Sequence, residues 1–319
     1  MNTCSIIIAA YNEALNLKLC LNSIFKTRPD SLSIEVIVVD NNSTDNTAQI
    51  IKDIPQAVYL KEEKQGASYA RNTGIRRASG DILVFLDADT IVSENWLNNL
   101  LSPFEGHTVG AVGGGILPFS ENNLVSEYLG ISLFMRYPRY GARRKIKGFP
   151  SCNLAVRKEL VREGFDTKIF TTYGEDKDLC FKIIDAGFSV LFVPEALVLH
   201  QHPESFRSLA SLLVKSSRGR MAFGKKHAFS PDILIMNTHL PLMYLFLLLA
   251  CLFAGKYIFL SILIAPALLY FIYNSILFYI KSRKFILCFF IKPLLDTISL
   301  YIIYFFYTLF RIKGHFKEK

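Results

Sequence analysis

The stretch Asp81-Ile82-Leu83-Val84-Phe85-Leu86-Asp87-Ala88-Asp89 decides the fold. Its middle is a short apolar run with no alternation, bounded by polar residues, which reads as a strand buried on both faces. It stops on two carboxylates set two residues apart. Toward the N-terminus the same pattern recurs. Gly66 to Ala78 reads as a helix with Ala67, Ala70, Ile75 and Ala78 inward, and Ala57 to Leu60 as a strand. Ser43-Thr44-Asp45 offers side-chain oxygens to cap a helix after the β-branched run Ile34 to Val39. Cys4 to Ala9 is another such run, followed by a helix from Glu13 to Lys26 with Leu15, Leu19, Leu21 and Ile24 near helical spacing. Alternating strands and helices with uniformly apolar strands predict an α/β fold, Rossmann-like, with a mostly parallel sheet covered on both faces.

In sheets of this kind ligands bind beyond the carboxyl ends of the strands. Three such ends carry polar groups: Ala10-Tyr11-Asn12-Glu13, Asp40-Asn41-Asn42 and Asp87-Ala88-Asp89. Any one aspartate there is better explained as a helix cap or turn former. Three polar strand ends on one rim point instead to a binding site. Carboxylates spaced as Asp87 and Asp89 are can turn hard oxygen ligands toward Mg²⁺ or Mn²⁺, ions that usually arrive with a diphosphate.

Composition adds a membrane. The chain has 319 residues, 51% of them hydrophobic, with 26 Phe and a mean hydropathy of +0.29, which excludes a disordered polar chain and fits poorly with a wholly soluble one. Of 36 Lys and Arg, nine lie in residues 236–319, against two of the 27 Asp and Glu, so the basic excess belongs to the apolar tail. That placement argues against nucleic-acid binding and for charges flanking membrane segments. The six cysteines form no C-x-x-C pair, indicating neither a zinc site nor a disulfide framework, and a reducing setting fits them. The first residues lack a basic region before their short apolar run, so no secretory signal is expected.

Ile6 to Glu13, Val38 to Asp45, Gly66-x-x-x-Ala70-Arg71-Asn72-x-Gly74, Asp81 to Asp89 and Gly174-Glu175-Asp176 together resemble the family 2 glycosyltransferases of the GT-A fold, in the family's order and over about the first 200 residues. The resemblance implies an inverting transferase that uses a nucleotide-diphosphate sugar and a divalent metal, Mn²⁺ or Mg²⁺. Ala10, Tyr11 and Glu13 then match the nucleoside pocket, Asp40 the acid that hydrogen-bonds the base, usually uracil, and Arg71 the arginine near the donor's ribose or phosphate. Asp87 would face ribose or sugar, with Ala88 beside it, and Asp89 would hold the metal. Asp176, with Glu175 beside it, becomes the candidate general base; without the resemblance this pair reads as favourable charge at a helix N-terminus. His200 either completes the metal shell or is a strand-end hydrogen-bonder. Pro150 to Arg157, with Asn153, resembles a wall of the donor and acceptor pocket.

Processive relatives carry a Q-x-x-R-W motif after the catalytic acid. The only tryptophan here, Trp96, precedes it, so a processive polymerase is disfavoured. In that region stands Ser205 to Lys226, a basic amphipathic stretch suited either to an anionic bilayer surface or to a solvated helix face. Beyond it, Leu240 to Ala254 and Tyr257 to Ile280 read as membrane spans; the latter carries no charge. Phe285 to Phe310 contains Lys292, Pro293 and Asp296, and is expected to be re-entrant or interfacial, which leaves the basic loop at 281–284 and the basic C-terminus both cytoplasmic. The expected layout is a catalytic domain at 1–203, an interface segment at 204–235 and a membrane region at 236–319, with the catalytic domain on the cytosolic side of the cell membrane. The expected reaction is sugar transfer onto a lipid-linked glycan, with transfer onto a polyprenyl phosphate as the alternative and a nucleotide-binding transporter or flippase component as a remoter one. A nucleotidyltransferase is disfavoured because Ala10 to Glu13 brings an acid where a glycine-rich phosphate loop belongs.

Overall fold

The computed structural model describes residues 3–29, 32–120, 123–131, 142–170 and 173–227. The readings for 236–319, both spans and the third segment included, lie outside these residues. Among the described residues no helix is long and apolar enough to cross a membrane.

In chain order the elements are β1 (Thr3–Ala10), α1 (Ala14–Thr27), β2 (Ser33–Asp40), α2 (Thr47–Lys52), β3 (Ala57–Lys61), α3 (Ala67–Arg77), β4 (Ile82–Asp87), β5 (Thr90–Val92), α4 (Trp96–Leu101), β6 (Val109–Pro118), α5 (Leu124–Ile131), β7 (Arg144–Ile146), β8 (Asn153–Arg157), α6 (Glu175–Asp185), β9 (Ser189–His200) and α7 (Phe206–Lys226). The strands join one sheet in the order β3-β2-β1-β4-β8-β6-β9-β5, with β7 paired to β9. Successive residues Ile6, Ile7 and Ile8, Val36 to Val39 and Leu83 to Leu86 are all buried, so both faces of the parallel half are covered, as their unbroken apolar runs require.

Two expectations need correction. The sheet is not mostly parallel: β3, β2, β1 and β4 run parallel, but β8 pairs antiparallel with both β4 and β6, and β9 takes β5 and β7 antiparallel and β6 parallel. After β4 the chain no longer alternates strand with crossover helix, so nothing holds the later strands to one direction. On α1, the buried side chains are Leu17, Cys20, Leu21 and Ile24, spaced i, i+3, i+4, i+7, whereas Leu15 and Leu19 are 88% and 49% exposed. The four buried positions already fill the stripe that faces the sheet.

By its contacts the chain divides into two units, 1–130 with 134–206, and 131–133 with 207–319. The first contains the sheet. α7 begins the second; it buries Leu209, Leu213 and Phe223 on one side and exposes Lys215, Arg218 and Lys225 on the other.

Candidate active site

The strand order 3-2-1-4 makes β1 the point where the chain reverses direction across the sheet, the place where sheets of this kind open a crevice beyond the carboxyl ends of their strands. Register sets what borders it: Ala10 pairs with Asp40 on one side, Ala9 with Asp87 on the other. The loops above are knitted together. Asn12, in a left-handed turn, donates its backbone N–H to Ser43 Oγ at 3.0 Å and accepts from the Thr44 N–H at 2.8 Å. Asp45 accepts from the backbone of Thr47 at 2.9 Å and of Ala14 at 3.2 Å, so the expected capping oxygens tie β1's loop to β2's.

Arg71 is the bridge. α3 lies close against the sheet at Gly74, where a Cβ would come within 2.4 Å of Ile7, and one helical turn earlier Arg71 is carried down to the crevice. It is 5% exposed, donates from Nη2 to Asp87 Oδ1 at 2.8 Å and from Nη1 to Glu175 Oε1 at 3.3 Å, and its guanidinium lies 5.8 Å from the Phe165 ring centre. Burial alone would weaken its charge, but Asp87 and Glu175 more than restore it. The guanidinium thus fixes two acids, and its exposure leaves little of it for a ribose or phosphate.

Glu175 and Asp176 open α6 because Gly174 adopts φ +101°, a left-handed turn that directs the next residues into the crevice. Asp176 accepts from its neighbour Lys177 N–H at 2.8 Å and from Ser151 N–H at 3.3 Å. The Oε2 of Glu175 is buried with no hydrogen-bond partner among the described residues. At the far side of β4, His200 closes β9 opposite Thr90, and its Nε2 lies 3.4 Å from Asp89 Oδ1 and 3.6 Å from Asp87 Oδ2.

The electrostatics follow from five carboxylates, Glu13, Asp87, Asp89, Glu175 and Asp176, sharing Arg71 and His200. Burial and mutual repulsion push Asp89 up to about 6 and Glu175 up to about 7, and burial first raises Glu13 and Asp176 as well. Asp87 alone is held well below the usual carboxylate range: burial would raise it, but Arg71 and then His200 outweigh that. Burial would lower His200, yet Asp89 and Asp87 raise it. Negative charge is in surplus at this rim. Asp89 Oδ1 and Asp87 Oδ2 each lie within 3.6 Å of His200 Nε2, so two hard oxygens flank one imidazole, donor types that suit a cation such as Mn²⁺.

The remaining expected residues sort by position. Ala10 and Ala88 are buried, Tyr11 is 47% exposed above the crevice, and Glu13 precedes α1 with its carboxylate accepting from Asn16 at 2.8 Å. Asp40 is buried across β1 from Asp87, accepts the Ser43 N–H at 3.1 Å and stands apart from the cation cluster. Asn153 is a correction. It is fully buried, accepts from Trp96 Nε1 at 2.8 Å and donates to the carbonyls of Gly115 at 3.0 Å and Ala196 at 2.9 Å, so it braces three strands and a helix and does not line a pocket. Sequence reasoning missed Cys152, whose sulfur lies with an Asp87 oxygen and a His200 nitrogen, all within 4.8 Å of one another; it sat outside any cysteine motif. Asn41, read only as part of a polar strand end, donates to the carbonyls of Glu62 and Lys64 and accepts the Gly66 N–H, setting the entry to α3.

Residues 5–165 match Glycosyl transferase family 2. The chain is a family 2 glycosyltransferase. This glycosyltransferase is 32% identical over 220 residues to the glycosyltransferase AglE of Haloferax volcanii, across 67% of its own length and 70% of that protein's. It is 25% identical over 284 residues to a dolichyl N-acetyl-alpha-D-glucosaminyl phosphate 3-beta-D-2,3-diacetamido-2,3-dideoxy-beta-D-glucuronosyltransferase of Methanococcus voltae, across 82% and 85%. Its structure is similar to that of the mannosyltransferase PcManGT from Pyrobaculum calidifontis in complex with GDP-Man and Mn²⁺, with a TM-score of 0.59 at 21% identity over 94% and 85% of the two chains. The likeness shows a mixed α/β, GT-A-like sheet fold.

Proposed function

We propose that this glycosyltransferase moves a sugar, with inversion, from a nucleotide-diphosphate sugar to a lipid-linked glycan at the cytosolic face of the cell membrane, with Asp89, Asp87 and His200 holding a divalent cation. The observation that carries this is the surplus of half-buried carboxylates at the end of β1 and β4, with two carboxylate oxygens within 3.6 Å of one imidazole nitrogen. Such a rim is costly when empty of cations and favours one that also binds a diphosphate. The Mn²⁺ and GDP-Man in the similar mannosyltransferase support the same reading.

When bound, the cation supplies positive charge against the departing diphosphate. The chain's own residues do the rest. Asp40, beside Ala10 and Tyr11, accepts a hydrogen bond from the base, one strand away from the cation cluster. Arg71 keeps Asp87 ionised and holds Asp87 and Glu175 in place. Asp176, raised above the ordinary carboxylate value by burial, accepts the proton of the acceptor hydroxyl as that oxygen attacks the anomeric carbon opposite the diphosphate, and inversion follows from that geometry. The apolar composition of 236–319 and the outward basic face of α7 support a membrane setting. The name of the Methanococcus voltae relative, with a dolichyl phosphate sugar as acceptor, supports the lipid-linked glycan.

The test incubates membranes containing the protein with labelled UDP-, GDP- and dTDP-sugars and follows label into extracted lipid. One donor is expected to label a lipid-linked glycan, with loss of at least about a hundredfold in Asp176→Asn. Label confined to a lipid monophosphate with one sugar would favour the polyprenyl-phosphate reaction instead. No donor-dependent lipid label would remove the reading.

A further inference from the structure

Three of the four described cysteines have settled places. The thiol of Cys20 points to the Asp87 carbonyl and to Thr90 Oγ1, each at 3.8 Å; that of Cys180 points to the Phe149 carbonyl; and Cys4 is buried in β1 between its neighbours. Cys152 differs. β8 runs antiparallel to β4 with Asn153 opposite Leu86, so the next pair outward sets Cys152 beside Asp87. Its sulfur reaches an Asp87 oxygen and a His200 nitrogen within a 4.8 Å cluster, and it makes no hydrogen bond among the described residues. His200 Nδ1 is buried without a partner.

We propose that Asp87, Cys152 and His200 form a second, softer cation seat overlapping the first, which takes Zn²⁺ through a thiolate and so lets zinc displace the Mn²⁺ or Mg²⁺ that transfer requires. The proposal rests on the cation position assigned under the proposed function. Zn²⁺ favours tetrahedral sets of sulfur, nitrogen and oxygen, and one such set is at hand: sulfur from Cys152, nitrogen from His200 and oxygen from Asp87, with Asp89 or water fourth. On binding, the zinc–sulfur bond forms, the thiol proton leaves to water, and the ion sheds water ligands. Zn²⁺ outranks Mn²⁺ at most nitrogen and oxygen sites, and a thiolate widens the gap because it is soft. Arg71 remains on the other oxygen of Asp87, so the aspartate can serve both partners.

Two readouts test this without turnover. Co²⁺ added to the full-length protein is expected to produce a sulfur-to-cobalt charge-transfer band, retained in Cys20→Ser and absent from Cys152→Ser and Cys152→Ala. Zn²⁺ titrated against Mn²⁺-loaded protein, with released Mn²⁺ followed by electron paramagnetic resonance, is expected to act at roughly tenfold lower concentration on the natural protein than on Cys152→Ser. A natural protein with no such band, or equal zinc displacement from both proteins, would overturn the proposal. A cobalt band from a protein that binds no Mn²⁺ even with nucleotide would leave the soft seat standing while removing the hard one, so the two failures are distinguishable. If the serine variant does not fold, the alanine variant and the band of the natural protein still decide.

Discussion

A guanidinium held between Asp87 and Glu175 has almost no water to replace either partner, so Arg71 governs both stability and chemistry at the rim. Arg71→Met should cost about 3–5 kcal/mol in denaturant unfolding, because it leaves the buried Glu175 unpaired and Asp87 with His200 as its remaining ion-pair partner. Arg71→Lys keeps the charge but cannot reach both carboxylates in a fork, and should lose donor binding with a smaller loss of stability. Away from the crevice, Glu35 accepts from Ser5 Oγ and from the backbone and hydroxyl of Ser79, joining β1, β2 and the entry to β4. Burial raises its carboxyl, but these donors together outweigh it and hold the group below its ordinary value. A lowered folded-state value means stability present above the unfolded value of about 4.5 and lost as pH falls through the folded one. Glu35→Gln should therefore cost about 1–2 kcal/mol at neutral pH and flatten the acid limb of a stability–pH curve.

At the scale of elements, α6 matters through its first turn. Gly174→Ala forces a side chain into a left-handed turn, at roughly 1–3 kcal/mol, and should lower kcat more than donor affinity, since Asp176 shifts while the Asp40 side of the crevice does not. The brace at Asn153 predicts the opposite pattern: Asn153→Ala strips partners from Trp96 and two carbonyls, and should lower thermal stability by several degrees with donor KM unchanged, measured on the protein that remains folded. The parallel half of the sheet was legible because each of its strands and helices follows the last in sequence, and apolar runs declare strands buried on both faces. The other half was not, because its pairings join distant residues: Leu86 with Asn153, Thr90 with His200. Likewise the sequence pattern marks Arg71 and Glu175 separately, yet nothing local says that they touch across 104 positions. Asn153 fell inside a recognisable segment, and the segment alone does not tell a brace from a pocket wall.

At the scale of the molecule, a polar strand-end rim and an apolar, basic tail occupy one chain, and the proposed lipid-linked acceptor would engage both. Charge placement in 236–319 predicts that a reporter fused after Lys319 is active in the cytosol; activity only on the opposite side would refute two spans with a re-entrant third segment. The proposed seat at Asp87, Asp89 and His200 would hold a divalent cation beside a nucleoside diphosphate. Calorimetric titration of UDP and of GDP, each with and without Mn²⁺, tests it directly. The account predicts that one of them binds only when Mn²⁺ is present and that Asp89→Ala abolishes this binding while the protein stays folded. Binding that needs neither Mn²⁺ nor Asp89, or no binding of either nucleotide, would contradict it.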